Sequence, residues 1–385
     1  MNTTGGETEQ PESGARPGGQ AAPRSERLVS LDALRGFDMF WIVGADALVE
    51  GLRKISDKGV VHGLAVQLGH EDWAGLHFED LIFPLFVFIA GVSVVFSLGP
   101  RLATEGRASA VGRILRRAVP LYLLGIFYYG GFGTPFTGIR LLGVLQRIAL
   151  AYLFAGLIFV YFGQRGRIAW CAGLLVGYWA LMTFVPVPGG TAGNFAEGHN
   201  LANWIDSQYL PLRKWDGDHD PEGLLSTLPA IANCLLGVFA GMALRDAKTS
   251  QMRKVGLLAV AGVALACLGW LWNLQFPVIK KIWTSSFVLV TCGYGSLLLA
   301  GFYLVVDVWG WRRWAMPFVW IGMNPITIYM MNNLVDIEGI ARRFVGGDLN
   351  RYFGNFGELA VAIVSFLITL TVARFLYQRK VFLRL

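Results

Sequence analysis

Charge is scarce in this sequence. Of its 385 residues 15% are Asp, Glu, Lys or Arg and 54% are hydrophobic, whereas soluble domains carry roughly 25% charged residues. Cysteine is sparse too: Cys171, Cys234, Cys267 and Cys292 show no C-x-x-C or other paired spacing, which argues against a disulfide framework or a cysteine-held zinc. All four fall inside apolar stretches and read as small buried hydrophobes. The five histidines include no pair at the i, i+4 spacing of a helical zinc site, so no metal is expected. There is no phosphate-binding P-loop, no G-x-S-x-G nucleophile turn and no internal repeat. Basic residues are scattered over short segments, which leaves no footprint for a nucleic-acid partner.

What the sequence does have is long apolar runs. A soluble α/β enzyme would show buried strands of about 4–8 residues; here the runs reach the roughly 20 residues that span a bilayer core as helix. About ten spans are predicted, near 34–50, 78–98, 117–132, 141–162, 168–186, 223–244, 254–273, 284–306, 314–334 and 358–376. The expected fold is therefore all-α, a polytopic membrane helical bundle whose solvent is the lipid bilayer.

Residues 1–26 differ in kind, being rich in Gly, Pro and Glu with almost no apolar side chains. They are expected to form a disordered tail ahead of a membrane domain covering 27–385. The tail lacks the basic and short apolar regions of a cleavable signal, so the first span is expected to act as an uncleaved anchor. With the N-terminus inside, the inner segments hold about 21 of the 33 basic residues, as the positive-inside rule asks, and both termini are expected to be cytoplasmic. The outer loops 51–77, 187–222 and 335–357 are longer and contain every histidine. Long polar loops of this kind usually carry function.

Ionisable groups inside spans are costly and default to functional hypotheses. In the first span Ser30 is placed to cap a helix, Asp32 favours the positive end of its dipole, and Arg35 is one turn on and able to pair with Asp32. Asp38 and Asp46 lie deeper on nearly one helical face, which must meet protein or water rather than lipid. The stretch from His70 to Gly91 is the most informative: an imidazole, the Trp73 indole and the Asp80 carboxylate sit where a span begins, with Pro84 removing a backbone donor one turn later. A lone histidine is more often a packed polar residue than a catalyst; Trp73 and Asp80 beside it strengthen the case for a chemical role without deciding it. Arg140, Gln146 and Arg147 open the fourth span, with the two arginines on one helical face. Asp220-Pro221-Glu222 reads as a capped helix entry. Lys280-Lys281-Ile282-Trp283 places cations beside an interfacial tryptophan, and Asn324-Pro325 puts an amide and a proline in the ninth span.

Taken in order, these stretches resemble the heparan-α-glucosaminide N-acetyltransferase family of membrane acyltransferases, and in particular its bacterial NagX-type members. The landmarks are S-L-D-A-L-R-G at 30–36, H-E-D-W-A-G-L with D-L-I-F-P-L-F-V-F-I-A-G at 70–91, G-V-L-Q-R at 143–147, P-V-P-G at 186–189, D-P-E-G-L-L-S-T at 220–227, K-K-I-W-T-S-S at 280–286 and G-M-N-P at 322–325. The resemblance covers essentially residues 27–385, omitting the tail. The resemblance implies transfer of an acetyl group from cytoplasmic acetyl-CoA to the amine of a glucosamine unit on the other side, in an inner-membrane protein, with a homodimer suggested. The family's active histidine matches His70, and its surrounding motif matches Trp73, Gly75, Asp80 and Pro84.

The chemistry fits that assignment, since an amine attacking a thioester needs a base for its proton and stabilisation of the oxyanion. His70 would deprotonate the amine or itself carry the acetyl group; Asp80 or Asp46 would orient the imidazole or hold the amine. Trp73, Gln146, Arg147 and Asn324 would serve the acceptor or the channel. Arg35 and the Arg113/Arg116/Arg117 cluster would hold the CoA phosphates. Many family members carry Asn eleven residues after the arginine of the R-G pair, where this chain has Asp46. A carboxylate can bind a protonated amine or carry a proton where an amide cannot. The human-type enzyme also carries an extra lumenal domain and leading span not seen here, so heparan sulfate itself is not the expected acceptor. The rival reading is an amino-sugar carrier without acyl transfer, which would use intramembrane charges equally well.

Overall fold

Helices account for most of the chain. The computed structural model describes residues 1–2 and 28–383, so the expected disordered tail lies outside the described residues apart from its first two. In chain order the helices are α1 (Val29–Ile55), α2 (Gly59–Gln67), α3 (Ile82–Thr104), α4 (Gly106–Tyr128), α5 (Val144–Tyr161), α6 (Gln164–Phe184), α7 (Leu201–Tyr209), α8 (Thr227–Arg245), α9 (Gln251–Trp272), α10 (Ser285–Phe302), α11 (Met316–Gly322), α12 (Pro325–Leu334), α13 (Ile337–Val345), α14 (Asp348–Phe353) and α15 (Gly357–Gln378). Among the described residues the β-type pairing amounts to two isolated bridges, Ala74–Ile279 and Asp216–His219.

Seven helical segments among the described residues are long and apolar enough to cross a membrane: 79–104, 144–161, 164–184, 227–245, 251–272, 285–308 and 348–378. Burial sorts them. The apolar windows around α3, α5, α8 and α10 are 61–78% buried and form the centre, whereas those of α6, α9 and α15 are only 22% buried and present most of their surface outward. Such outward faces suit lipid, which is as apolar as the side chains that meet it.

The other three expected spans take different forms. The first lies within α1, a continuous helix whose Asp, Glu, Lys and Arg content keeps it outside the apolar set. The third is the second half of α4, which begins eleven residues earlier than expected and carries its arginines in the first half. The ninth is two helices: the chain breaks between α11 and α12, where Asn324 leaves helical geometry at φ −133° and ψ 47° and Pro325 opens the next helix.

Close helix contact runs through small residues. α3 packs on α8, α9 on α10, α4 on α5 and α1 on α11. A β-carbon at Gly91 of α3 would overlap the Cys234 carbonyl of α8, and one at Gly237 would overlap the Phe88 carbonyl in return. Glycine at both positions lets the two backbones touch, which supplies van der Waals attraction where no hydrophobic drive separates helix from lipid.

Several local expectations are corrected. Ser30 caps nothing; its backbone N–H donates to Asp307 Oδ2 at 3.1 Å and its hydroxyl donates to the same atom, tying α1 to the π-helical turn after α10. Asp220 does not start a helix, because α8 begins at Thr227; its carboxylate takes Arg140 instead. Arg140 precedes α5, so it does not share a helix face with Arg147. Cys171, Cys234 and Cys292 are buried, but Cys267 is exposed on the outward side of α9.

Candidate active site

The middle of α1, the end of α4, the first turn of α5 and the segments entering α3, α8 and α10 meet around one cavity. It has a volume of about 370 Å³. Its walls bring together His70, Asp46, Glu79, Lys280, Arg140, Asp216 and Glu222. Tyr128, Tyr129, Tyr329, Trp215 and Trp283 supply aromatic faces between them. Alternating rings and carboxylates match the two kinds of surface a sugar ring presents, apolar C–H faces and polar hydroxyl edges.

His70 is held by a buried carboxylate. Its Nδ1 lies 3.1 Å from Asp80 Oδ1, and the Lys280 ammonium donates to that same oxygen at 3.0 Å and sits 2.9 Å from Nδ1. Asp80 is fully buried, and its other oxygen accepts the backbone N–H groups of Glu71 at 3.1 Å and His77 at 3.0 Å. Every lone pair of Asp80 is thereby engaged, and the carboxylate is fixed. The short sequence separation explains the assembly: the chain from His70 to His77 loops around the Asp80 carboxylate before α3 begins. Where the imidazole donates Nδ1–H to Asp80, Nε2 holds the lone pair and serves as base. His70 remains 57% exposed as a side chain, so that lone pair is accessible.

Arg140, also at the wall, makes three short contacts: Nε to Asp220 at 2.8 Å, and one terminal nitrogen to Asp220 at 2.6 Å and to Glu222 at 2.5 Å. Its guanidinium also lies 4.5 Å from the Tyr129 ring and 4.9 Å from that of Trp215. Burial works to lower its pKa, but the Asp220 hydrogen bonds and the Glu222 charge outweigh this and hold it above the ordinary arginine value. Burial pushes Glu222 up, against the pull of Arg140 and Arg147. Behind it, burial raises Asp206 to about 6, although its oxygens accept the backbone N–H groups of Leu224 at 2.8 Å and Asp220 at 3.4 Å.

Trp283 closes the base of the cavity. It is 1% exposed and adopts φ +51°, a region that bulky residues occupy only when their surroundings hold them there. Phe83 and Phe287 pack edge-on against it at 4.9 and 5.4 Å, and the Arg147 guanidinium stacks on it at 4.7 Å. Strain of this kind clusters at functional sites. A smaller apolar pocket of about 20 Å³ shares Ile42, Phe83, Val144 and Tyr329 with the main cavity and continues it to Met39, Phe86 and Ile148.

The sequence-predicted residues divide accordingly. His70, Asp46 and Asp80 come together, the first two lining the cavity and Asp80 bracing the imidazole. Arg147 is fully buried one layer back, donating to the Ser226 hydroxyl and to the Gly223 carbonyl at 3.4 Å. Gln146 is also buried and donates to the Arg140 carbonyl at 3.2 Å. Trp73 packs with Phe195, its indole N–H donating to the Phe195 carbonyl at 3.0 Å. Asn324 is not brought to this cavity; its amide holds the C-terminal strand of chain through Val381 at 3.0 Å and Leu383 at 3.1 Å. Arg35 donates to Asp32 at 3.3 Å and Ser93 at 2.8 Å, while Arg117 stacks on Tyr152 at 4.7 Å in α5.

Lys280, Glu79, Glu222 and the tyrosines of α4 and α12 join the site without having been assigned roles from sequence. Lys280 and Glu79 sit inside motifs already noted, so adjacency to Asp80 and Trp283 was a usable signal. Nothing in the sequence pairs Tyr128 with Tyr329, whose rings stack at 4.5 Å. The fold also gathers Glu197, Asp216 and His219 with one ligand atom each within 4.8 Å of the others. The Lys281 ammonium lies 2.7 Å from Glu197 and 3.7 Å from Asp216, so a cation of the chain itself already offsets part of this charge.

Comparison with known proteins now bears on the site. The family described as heparan-alpha-glucosaminide N-acetyltransferase, catalytic, matches residues 27–273, well over half of the chain. The chain belongs to this family. The human heparan-alpha-glucosaminide N-acetyltransferase is 29% identical over 318 residues, covering 68% of this chain and 48% of the human protein. The mouse protein of the same name is 26% identical over 329 residues, covering 69% and 49%. The chain thus spans about half the length of these curated relatives. Every cavity residue up to Glu222 lies inside the family match; Lys280, Lys281, Trp283 and Tyr329 lie beyond it.

Proposed function

We propose that this protein is a transmembrane N-acetyltransferase that moves the acetyl group of cytoplasmic acetyl-CoA to the amine of a glucosamine-type sugar at the outer face of the membrane. The observation that carries the reading is His70, braced by Asp80 and Lys280, at the wall of a cavity lined by carboxylates and aromatic rings, in a chain of this family. In this reading all ten expected spans cross the bilayer, with α1, α4 and the α11–α12 pair completing the apolar seven, and both termini are cytoplasmic. An inner-membrane location and a homodimer go with the family resemblance.

The acceptor lies in the cavity with its ring against the aromatic walls. His70 Nε2 removes a proton from the amine as nitrogen attacks the thioester carbonyl, or takes the acetyl group first and passes it on. Asp80 holds the imidazole in its donor–acceptor orientation and stabilises the imidazolium that forms. Arg35, Arg113, Arg116 and Arg117 are the groups proposed for the CoA phosphates, and the acyl-pantetheine arm would reach His70 from their side.

The test is CoA release by purified protein in detergent, with acetyl-CoA and glucosamine, beside His70→Ala. Release that needs both glucosamine and His70 is the expected result. Full transfer by His70→Ala would remove the centre of the scheme.

A further inference from the structure

One buried carboxylate at the cavity wall has an oxygen with neither a hydrogen-bond donor nor an ion-pair partner among the described residues. Asp80 is consumed by His70, Lys280 and two backbone N–H groups. Asp220 and Glu222 are consumed by Arg140, Glu71 pairs with His77 at 2.8 Å, and Asp216, whose buried Oδ2 also lacks a hydrogen bond, has the Lys281 ammonium at 3.7 Å. Glu79 differs. It is 8% exposed and lines the cavity beside His70, yet its Oε2 has no hydrogen-bond partner among the described residues. Asp46 of α1 lines the same cavity. A buried carboxylate oxygen without a donor is costly to keep ionised, and proteins rarely leave one without a reason.

The chemistry that satisfies this wall is specific. A second anion beside Glu79 and Asp46 would be repelled. A neutral hydroxyl would satisfy one lone pair and leave the charge uncompensated. An ammonium supplies both charge and several donors. Because the Lys280 ammonium donates to Asp80 rather than to Glu79, the donor that satisfies Oε2 comes with the ligand.

Resting on the acetyltransferase reading above, we infer that Glu79, with Asp46, is the seat of the acceptor's ammonium group, so that the site selects protonated amino sugars over N-acylated or N-sulfated ones. The acceptor enters as R–NH3⁺. One proton passes from nitrogen to Glu79 and on to solvent, leaving the lone pair that attacks the thioester carbon. The N–C bond forms and the C–S bond breaks with its electron pair on sulfur. The second proton moves from nitrogen through His70 to the thiolate. The sum is R–NH3⁺ plus acetyl-CoA giving R–NH–acetyl, CoA–SH and H⁺. Glu79 thus does in this chain what His70 alone cannot, since two protons must leave one nitrogen.

Two measurements on the purified full chain test this. In the first, steady-state CoA release is compared for wild type, Glu79→Gln and Glu79→Asp. Glu79→Gln is expected to raise KM for glucosamine about 10- to 100-fold, the worth of a hydrogen bond to a charged group, with KM for acetyl-CoA unchanged and part of the effect restored in Glu79→Asp. A glucosamine KM within twofold of wild type in Glu79→Gln overturns the inference. In the second, thermal shifts without any acyl donor compare glucosamine, N-acetylglucosamine and glucosamine N-sulfate. Wild type is expected to be stabilised by glucosamine alone, and Glu79→Gln to lose that preference. Should wild type release no CoA with glucosamine, the acetyltransferase reading fails by itself, and the binding preference still decides Glu79: equal response to amine and N-acetyl sugars sinks it.

Discussion

Arg140→Met gives the most direct test of how this site is held. The substitution keeps a long side chain but removes a guanidinium that is 3% exposed and bridges Asp220, itself fully buried, and Glu222, 10% exposed. Stripping one partner from such a network costs about 3–5 kcal/mol, because the remaining charges have no water to turn to. Loss of the contacts to Tyr129 and Trp215 adds about 1 kcal/mol. For a chain of this size, at roughly 2 °C per kcal/mol, the melting temperature in detergent should fall by about 8–12 °C at pH 8. The loss should shrink near pH 6. Glu222 is already pushed up by burial against the pull of Arg140, and without Arg140 it takes up its proton more readily in the folded state, so stability falls as pH rises. The triple variant Arg140→Met, Asp220→Asn, Glu222→Gln removes all the charges together and should recover more than half of the drop. A melting temperature within about 2 °C of wild type for Arg140→Met at pH 8 would refute the reasoning, as would a triple variant no more stable than the single one.

Three further outcomes follow from the same geometry. Asp80→Asn should lower kcat by about a hundredfold or more while the protein stays folded, since the amide no longer fixes the imidazole; unchanged kcat would break the His70–Asp80 link. Asp206, at about 6 in the fold against an ordinary value near 4, binds its proton more tightly folded than unfolded. Its contribution to stability is therefore greatest below pH 4 and is lost as pH rises to 6, by about 2–3 kcal/mol. Melting curves from pH 4 to 7 should show that slope in wild type and a flatter one in Asp206→Asn. Gly91→Val should prevent α3 and α8 from meeting, costing about 3 kcal/mol or more, read as loss of the monodisperse peak in size-exclusion chromatography; a well-folded Gly91→Val protein would show that this contact yields.

The class of molecule was legible in the hydropathy pattern. Runs of apolar residues with basic intervals can be stable only as helices in lipid, because backbone polar groups there must be satisfied within each segment. The local half of the site could be read as well. His70 and Asp80 lie close in the chain, and the loop between them has few ways to close, so their meeting was legible from the motif. Helix α3 and the central spans followed from hydropathy in the same way. Where hydropathy was interrupted, it misled: the ninth span is two helices because Pro325 and Asn324 break the backbone, and Ser30 bonds Asp307 because α10 ends beside it.

The other half of the site was decided by tertiary structure alone. Lys280 reaches Asp80 across 200 positions of chain, and Arg140 meets Asp220 across 80. No periodicity records which of many buried charges will face which, since any cation and any anion pair equally well on paper. Helix packing through Gly91 and Gly237 sets that choice, by fixing how closely α3 and α8 approach and so which loops meet above them. Glu79 shows the consequence: adjacent to Asp80 in sequence, it ends without a donor among the described residues, because the fold has given Lys280 to its neighbour.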